Sequence, residues 1–223
     1  VVNMAEAEQI PQIDPNLMIR LRLHAFRVDR SFSQRIEPLP DEAILPCLSC
    51  DLAGQPKFAQ VRLAIGNDAL FVQADVQGKS QLPWCRDTRL EDSDGLHLWI
   101  DTRNSRDVQR ATRYCHRFGF LPMGTGPRAD LPTVGWTPIE HAREQPPQPP
   151  RELMQIRARV TDGRYRLVAA LHFDSLHGLS REDFPIVGFY FCILDRELGR
   201  QCLSLPPDWP VVENPNLWAQ LIL

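Results

Sequence analysis

Alternation of apolar and polar residues dominates this chain. Ala59, Val61, Leu63 and Ile65 alternate with Gln60, Arg62 and Ala64; after Gly66-Asn67-Asp68, Leu70, Val72, Ala74 and Val76 alternate with Phe71, Gln73 and Asp75. Two period-two runs around a short Gly/Asn/Asp turn predict an antiparallel hairpin. Ile156, Ala158 and Val160, the Asp162-Gly163 turn, then Tyr165, Leu167, Ala169 and Leu171 predict another. Between them, Leu96, Leu98 and Ile100 face one way and His97, Trp99 and Asp101 the other, so one strand surface displays a His, a Trp and a carboxylate. Ile19 to Val28 also alternates as a half-buried strand. From Arg103 to Arg117 the arginines recur at helical spacing, yet Tyr114, His116, Phe118 and Phe120 alternate, which predicts a short helix or turn near 105–111 and then a strand to Leu121. A helical turn at 173–184, strands at Val187–Leu194 and Gln201–Leu205, and a closing strand from Ala219 complete the pattern. About ten short strands with almost no helix predict an all-β fold, an antiparallel β-sandwich of jelly-roll or immunoglobulin-like type. Residues 1–18 read as a polar arm and 19–223 as a single sandwich domain.

Composition agrees and adds detail. The 223 residues include 20 prolines, which break helix interiors and central strands, and eight of them fall at 122–150, read as a long surface loop. The charge, 25 Lys+Arg against 28 Asp+Glu, is −3, which gives no global basic field for nucleic acid. No run approaches the ~18–20 apolar residues of a membrane span. The N-terminus lacks the basic flank and apolar run of a signal peptide, so the sequence as given predicts a cytoplasmic location and no membrane partner. Lys57 and Lys79 are the only lysines, so arginine carries the basic charge; genome base composition accounts for this more simply than recognition of anions and sugars by planar guanidinium forks. The six cysteines are too sparse for a disulfide scaffold and predict reduced, buried thiols.

Few motifs carry chemistry. Cys47-Leu-Ser-Cys50 has the spacing of half a zinc site, but no second half completes it; Cys85, or Cys115 beside His116, would be distant ligands. Nucleophile-elbow, zinc-protease, phosphate-loop and dinucleotide motifs are all missing, so no catalytic residue is assigned. Asp94 and Asp101 are the pair a glycoside hydrolase reading would use. The tryptophans are more informative: Trp84, Trp136 and Trp209 lie in polar or proline-framed stretches, where a ring either stacks on the C–H face of a sugar or anchors a loop to the core.

The runs Ala69–Val76, Asp94-Gly-Leu-His-Leu-Trp-Ile-Asp101 and Asn214-Pro-Asn-Leu-Trp218-Ala-Gln-Leu-Ile-Leu223 resemble the family 9 carbohydrate-binding modules of bacterial xylanases and their DOMON-like relatives. GKSQLPWCRD, SDGLHLWIDTRN, RYCHRFGFLP and DRELGRQ are similar to family-9-like proteins of planctomycete-type bacteria. The resemblance implies a non-catalytic sandwich that holds a mono- or oligosaccharide between two tryptophans, Trp84 and Trp209. It sets His97 where the modules place a glutamate, His116 or Arg117 near their ligand-binding arginine, and Asp94 among the polar partners. Trp99 and Trp218 match framework positions. Calcium accompanies many such modules, though no ligand set maps here. Heme, known among DOMON relatives, would need a Met facing a His, and Met18, Met123 and Met154 offer no pairing. The alternative reading is a ligand-free scaffold or protein-interaction sandwich. The family's N-terminal D-G-x-x-D-x-x-W signature is missing.

Overall fold

A computed structural model describes residues 21–206 and 208–223. The predicted arm, 1–18, lies outside them, as do Ile19 and Arg20 of the first predicted strand.

Among the described residues, twelve strands form two sheets. The first sheet runs β1 (Arg22–His24), β12 (Ala219–Ile222), β10 (Ile186–Asp195), β5 (Gly95–Asp101), β6 (Cys115–Thr125) and β7 (Leu131–Thr137), with β11 (Gly199–Cys202) also paired to β10. The second runs β2 (Phe26–Arg27), β3 (Ala59–Ile65), β4 (Ala69–Gln77), β9 (Arg164–His172) and β8 (Met154–Thr161). Both predicted hairpins form, β3–β4 and β8–β9, in the register that alternation dictates: Leu63 faces Val72, and Ala158 faces Leu167. The first predicted strand instead breaks at Ala25. β1 joins β12 in one sheet and β2 joins β3 in the other, both in parallel, so residues 22–27 clip the sheets together.

Period two sends Leu96, Leu98, Ile100, Phe118, Phe120, Phe189 and Phe191 inward from the first sheet, against Val61, Leu63, Val72, Leu167 and Leu171 of the second. These side chains form the continuous core between the sheets, each fully buried one contributing about 1.5–3 kcal/mol. The 122–150 stretch is not all loop. β6 extends to Thr125 and β7 occupies Leu131–Thr137, so Trp136 sits in a strand opposite Phe118. β7 is an edge strand, where a proline such as Pro132 is tolerated. The 105–111 segment is turn and coil, and the one α-helix among the described residues, α1 (Leu48–Ala53), ends at Gly54 with φ 62°.

Candidate functional site

β5 decides the geometry. Its odd positions face away from the second sheet, and pairing carries the pattern sideways: Trp99 lies opposite Tyr190 on β10 and Arg117 on β6, and Arg117 lies opposite Thr137 on β7. His97 stands one row along, beside Cys192 and Gly119. The sequence suggests a displayed surface, but His97 and Trp99 are 2 % and 3 % exposed. Two loop segments roof them. On one side a 3-10 turn at Leu90–Asp92 seats Leu90 in a notch made by two glycines: a Cβ on Gly135 would come within 2.5 Å of Leu90 Cδ1, and one on Gly119 within 3.4 Å of Leu90 Cβ. On the other, residues 203–206 and 208–218 are tied down where Tyr190 Oη donates to Leu205 O (2.6 Å) and Trp218 Nε1 donates to Val211 O (2.6 Å).

Beneath this roof polar groups are left over. Arg117 stacks its guanidinium on Trp99, 5.1 Å from the ring centroid, and donates weakly to Glu91 O (3.5 Å). Its Nε, the Trp99 Nε1 and the Thr137 Oγ1 are buried and have no hydrogen-bond partner among the described residues. All three belong to one row of the sheet. A buried polar atom without a partner costs about 1–3 kcal/mol, so three in one row are a concentration of unmet polar groups. His97 Nε2 bonds Ser93 O (3.0 Å). Burial, helped by the Arg117 charge, pushes its pKa down to about 4, so His97 stands neutral beside that row.

The other sequence-predicted residues fall elsewhere. His116, adjacent to Arg117 in sequence, points to the opposite face: it stacks on Phe118 at 6.1 Å, bonds His177 O through Nε2, and is held by burial at a pKa of about 4. Trp84 and Asp94 are brought together as one support: Asp94 accepts from the Trp84 amide (2.9 Å) and the Arg196 amide (2.9 Å). The Trp84 ring carries the Arg196 guanidinium 3.2 Å and the Arg86 guanidinium 4.8 Å from its centroid. Trp209 sits on the roofing segment with 37 % of its surface exposed. Asp94 and Asp101 stand at opposite ends of β5, about 23 Å apart by strand rise, whereas a glycosidase pair is spaced at about 5–9.5 Å. The hydrolase alternative fails on that distance. Thr137 was concealed in the proline-dense stretch, while Trp99, matched to the framework, is buried against Tyr190, 5.4 Å between ring centroids.

Calcium, implied by the resemblance, does not fit either grouping of carboxylates among the described residues. Where the buried Asp94 and Asp195 carboxylates converge with the more exposed Glu197, the Lys79 ammonium already stands among them, 2.7 and 2.8 Å from the Asp195 oxygens and 3.5 Å from both Asp94 and Glu197. Burial works against that charge, but the bonds to Asp195 prevail and raise the lysine pKa. The cluster Glu140, His141 and Glu213, the one group of potential ligand atoms within 4.8 Å of one another among the described residues, is mostly exposed and includes a histidine nitrogen. Neither matches the six to eight oxygens calcium takes. The cysteines are all free, five of them buried, and Cys47 bonds Cys202 O rather than a metal partner.

No protein-family model and no curated protein matches the sequence. Among solved structures, a family 9 carbohydrate-binding module from Caldicellulosiruptor kristjanssonii is similar to 91 % of this chain at 14 % identity. Its complex with cellotriose is covered to 93 % with TM-score 0.59, and its complex with glucose to 95 % with TM-score 0.60. A proposed carbohydrate-binding protein from Bacteroides uniformis is 12 % identical, with 91 % of this chain and 98 % of that one covered and TM-score 0.58. The chain therefore has the β-sandwich fold of the family 9 carbohydrate-binding modules.

Proposed function

We propose that this protein is a non-catalytic carbohydrate-binding sandwich whose site lies on the outer face of the first sheet. The observation that carries the reading is the row Trp99, Arg117 and Thr137, with three buried polar atoms that lack partners among the described residues. Sugar hydroxyls both donate and accept, so they satisfy two N–H donors and a hydroxyl where an apolar ligand could not. The neutral His97 and single guanidinium suit an uncharged sugar. Trp209 supplies a ring for stacking, while Trp84 and Asp94 hold the rim of the site. Leu90 fills the notch over Gly119 and Gly135, so a sugar that reaches the row displaces it. The kinship in fold with modules solved in complex with glucose and cellotriose supports the sugar class.

Isothermal titration calorimetry with glucose, cellobiose and cellotriose tests the reading. The expected result is saturable heat at micromolar to millimolar concentrations, with Arg117→Gln and Trp209→Ala each weakening binding by about tenfold. Silence with all three sugars, or an affinity untouched by both substitutions, overturns it in favour of a ligand-free scaffold.

A further inference from the structure

The outer face of the second sheet is only half covered. Ile36, Leu39 and Ala43 pack on Ala64, Phe71, Val168 and Ala170, and the Leu39 amide donates to Gln73 Oε1 (2.7 Å) where this cover ends. Beyond it lies an open groove of about 560 Å³. Its walls present Lys57, Arg62, Arg159, Arg164 and Arg166, and Asp75 is its one acid. Asp75 is already engaged by Arg62 Nη1 (2.6 Å), Gln73 (2.5 Å) and Arg166, and Lys57 is paired with Asp51 (2.5 Å). Arg159 and Arg164 have no ion-pair partner among the described residues. Strand register sets Arg159 directly opposite Arg166, a like-charge facing that costs stability. In a chain of net charge −3, this excess of cations is a local feature. Arg62, with a side chain only 8 % exposed, lines the groove with its Nη2 held by Asp41 (2.7 Å) and Gln60 (2.9 Å) and a buried Nε that finds no acceptor among the described residues.

We propose that this groove binds an acidic polysaccharide. Guanidinium forks match carboxylates and sulfates in bidentate geometry. Arg164 and Arg166 alternate along β9, so their anchor points are about 6.8 Å apart, and β8 runs about 4.8 Å away, a grid for regularly spaced anions. Gln60, Gln77 and Thr161 beside the cations offer amide and hydroxyl partners to sugar hydroxyls. Nucleic acid fits less well, because Tyr165, the one aromatic residue in the lining, is 2 % exposed and offers no platform for a base. A lipid surface would require exposed apolar side chains in the groove, and the lining has none.

Affinity electrophoresis of the full chain through gels holding polygalacturonate, heparin or neutral hydroxyethylcellulose tests this, with fluorescence anisotropy on single- and double-stranded DNA alongside. Retardation by polygalacturonate alone assigns carboxylates, and by heparin alone sulfates. In either case we expect weakening at high salt and a loss of about tenfold or more in Arg159→Gln/Arg164→Gln, whose exposed side chains can change without unfolding the chain. Arg117→Gln and Trp209→Ala should leave it intact, so failure here leaves the neutral-sugar reading standing, and the converse holds. No retardation by either acidic polymer, undiminished retardation of the double variant, or DNA binding as tight as that of the glycans overturns the proposal.

Discussion

His97 offers a quantitative test of the roofed outer face. Its pKa in the fold is about 4, lowered first by burial and then by Arg117, against 6.5 for an unperturbed histidine. A histidine held low is neutral in the fold, so acid favours the unfolded chain. Its contribution is intact above about pH 6.5 and is lost as pH falls towards about 4. Between about pH 7.5 and about pH 5 the loss works out at about 2 kcal/mol for this one group. Asp94 and Asp101, whose pKa values burial raises, pull the other way, and His116 adds to the loss. The informative quantity is therefore the difference between wild type and His97→Gln, in which those other groups cancel. Urea unfolding of both at the two pH values should show wild type losing about 2 kcal/mol more than the variant. Equal losses would mean that His97 is solvated in the fold, and the roof over the candidate site would fall with it.

Three further outcomes follow from named contacts. Lys79→Met leaves three carboxylates around a missing ammonium and should cost about 3–5 kcal/mol in denaturant unfolding at neutral pH; a cost under about 1 kcal/mol would mean the cluster is solvated. Leu90→Ala empties the glycine notch and should tighten sugar binding at least about twofold in calorimetry, since less of the protein is held in the plugged state; unchanged or weaker binding would show that Leu90 is no plug. Trp209→Ala, besides weakening sugar binding, should leave the thermal midpoint within about 2 °C of wild type because its ring is partly exposed.

Local pattern made much of this protein legible. Alternation in Ala59–Ile65 and Ala69–Val76 yields the β3–β4 hairpin because a half-buried strand has only one way to turn its apolar side chains inward, and a Gly/Asn/Asp turn fixes the register. The same rule splits His97 from Leu96 and Leu98, and it also separates His116 from Arg117: Phe118 and Phe120 share the parity of His116, a signal present in the sequence. β7 was masked because prolines and glycines that signal a loop also suit an edge strand.

Sequence alone thus determined the all-β class, the hairpins and the face each residue takes on its own strand, since these depend on neighbours two positions apart. Tertiary structure decided which strands lie side by side, that the polar face of β5 is roofed by Leu90 and residues 203–206 and 208–218, that the Lys79 ammonium holds the converging carboxylates, and that arginines from β3, β8 and β9 share one groove. Those juxtapositions join residues tens to more than a hundred positions apart, and only the packing of one sheet on the other, with loops closing over both, brings them within reach.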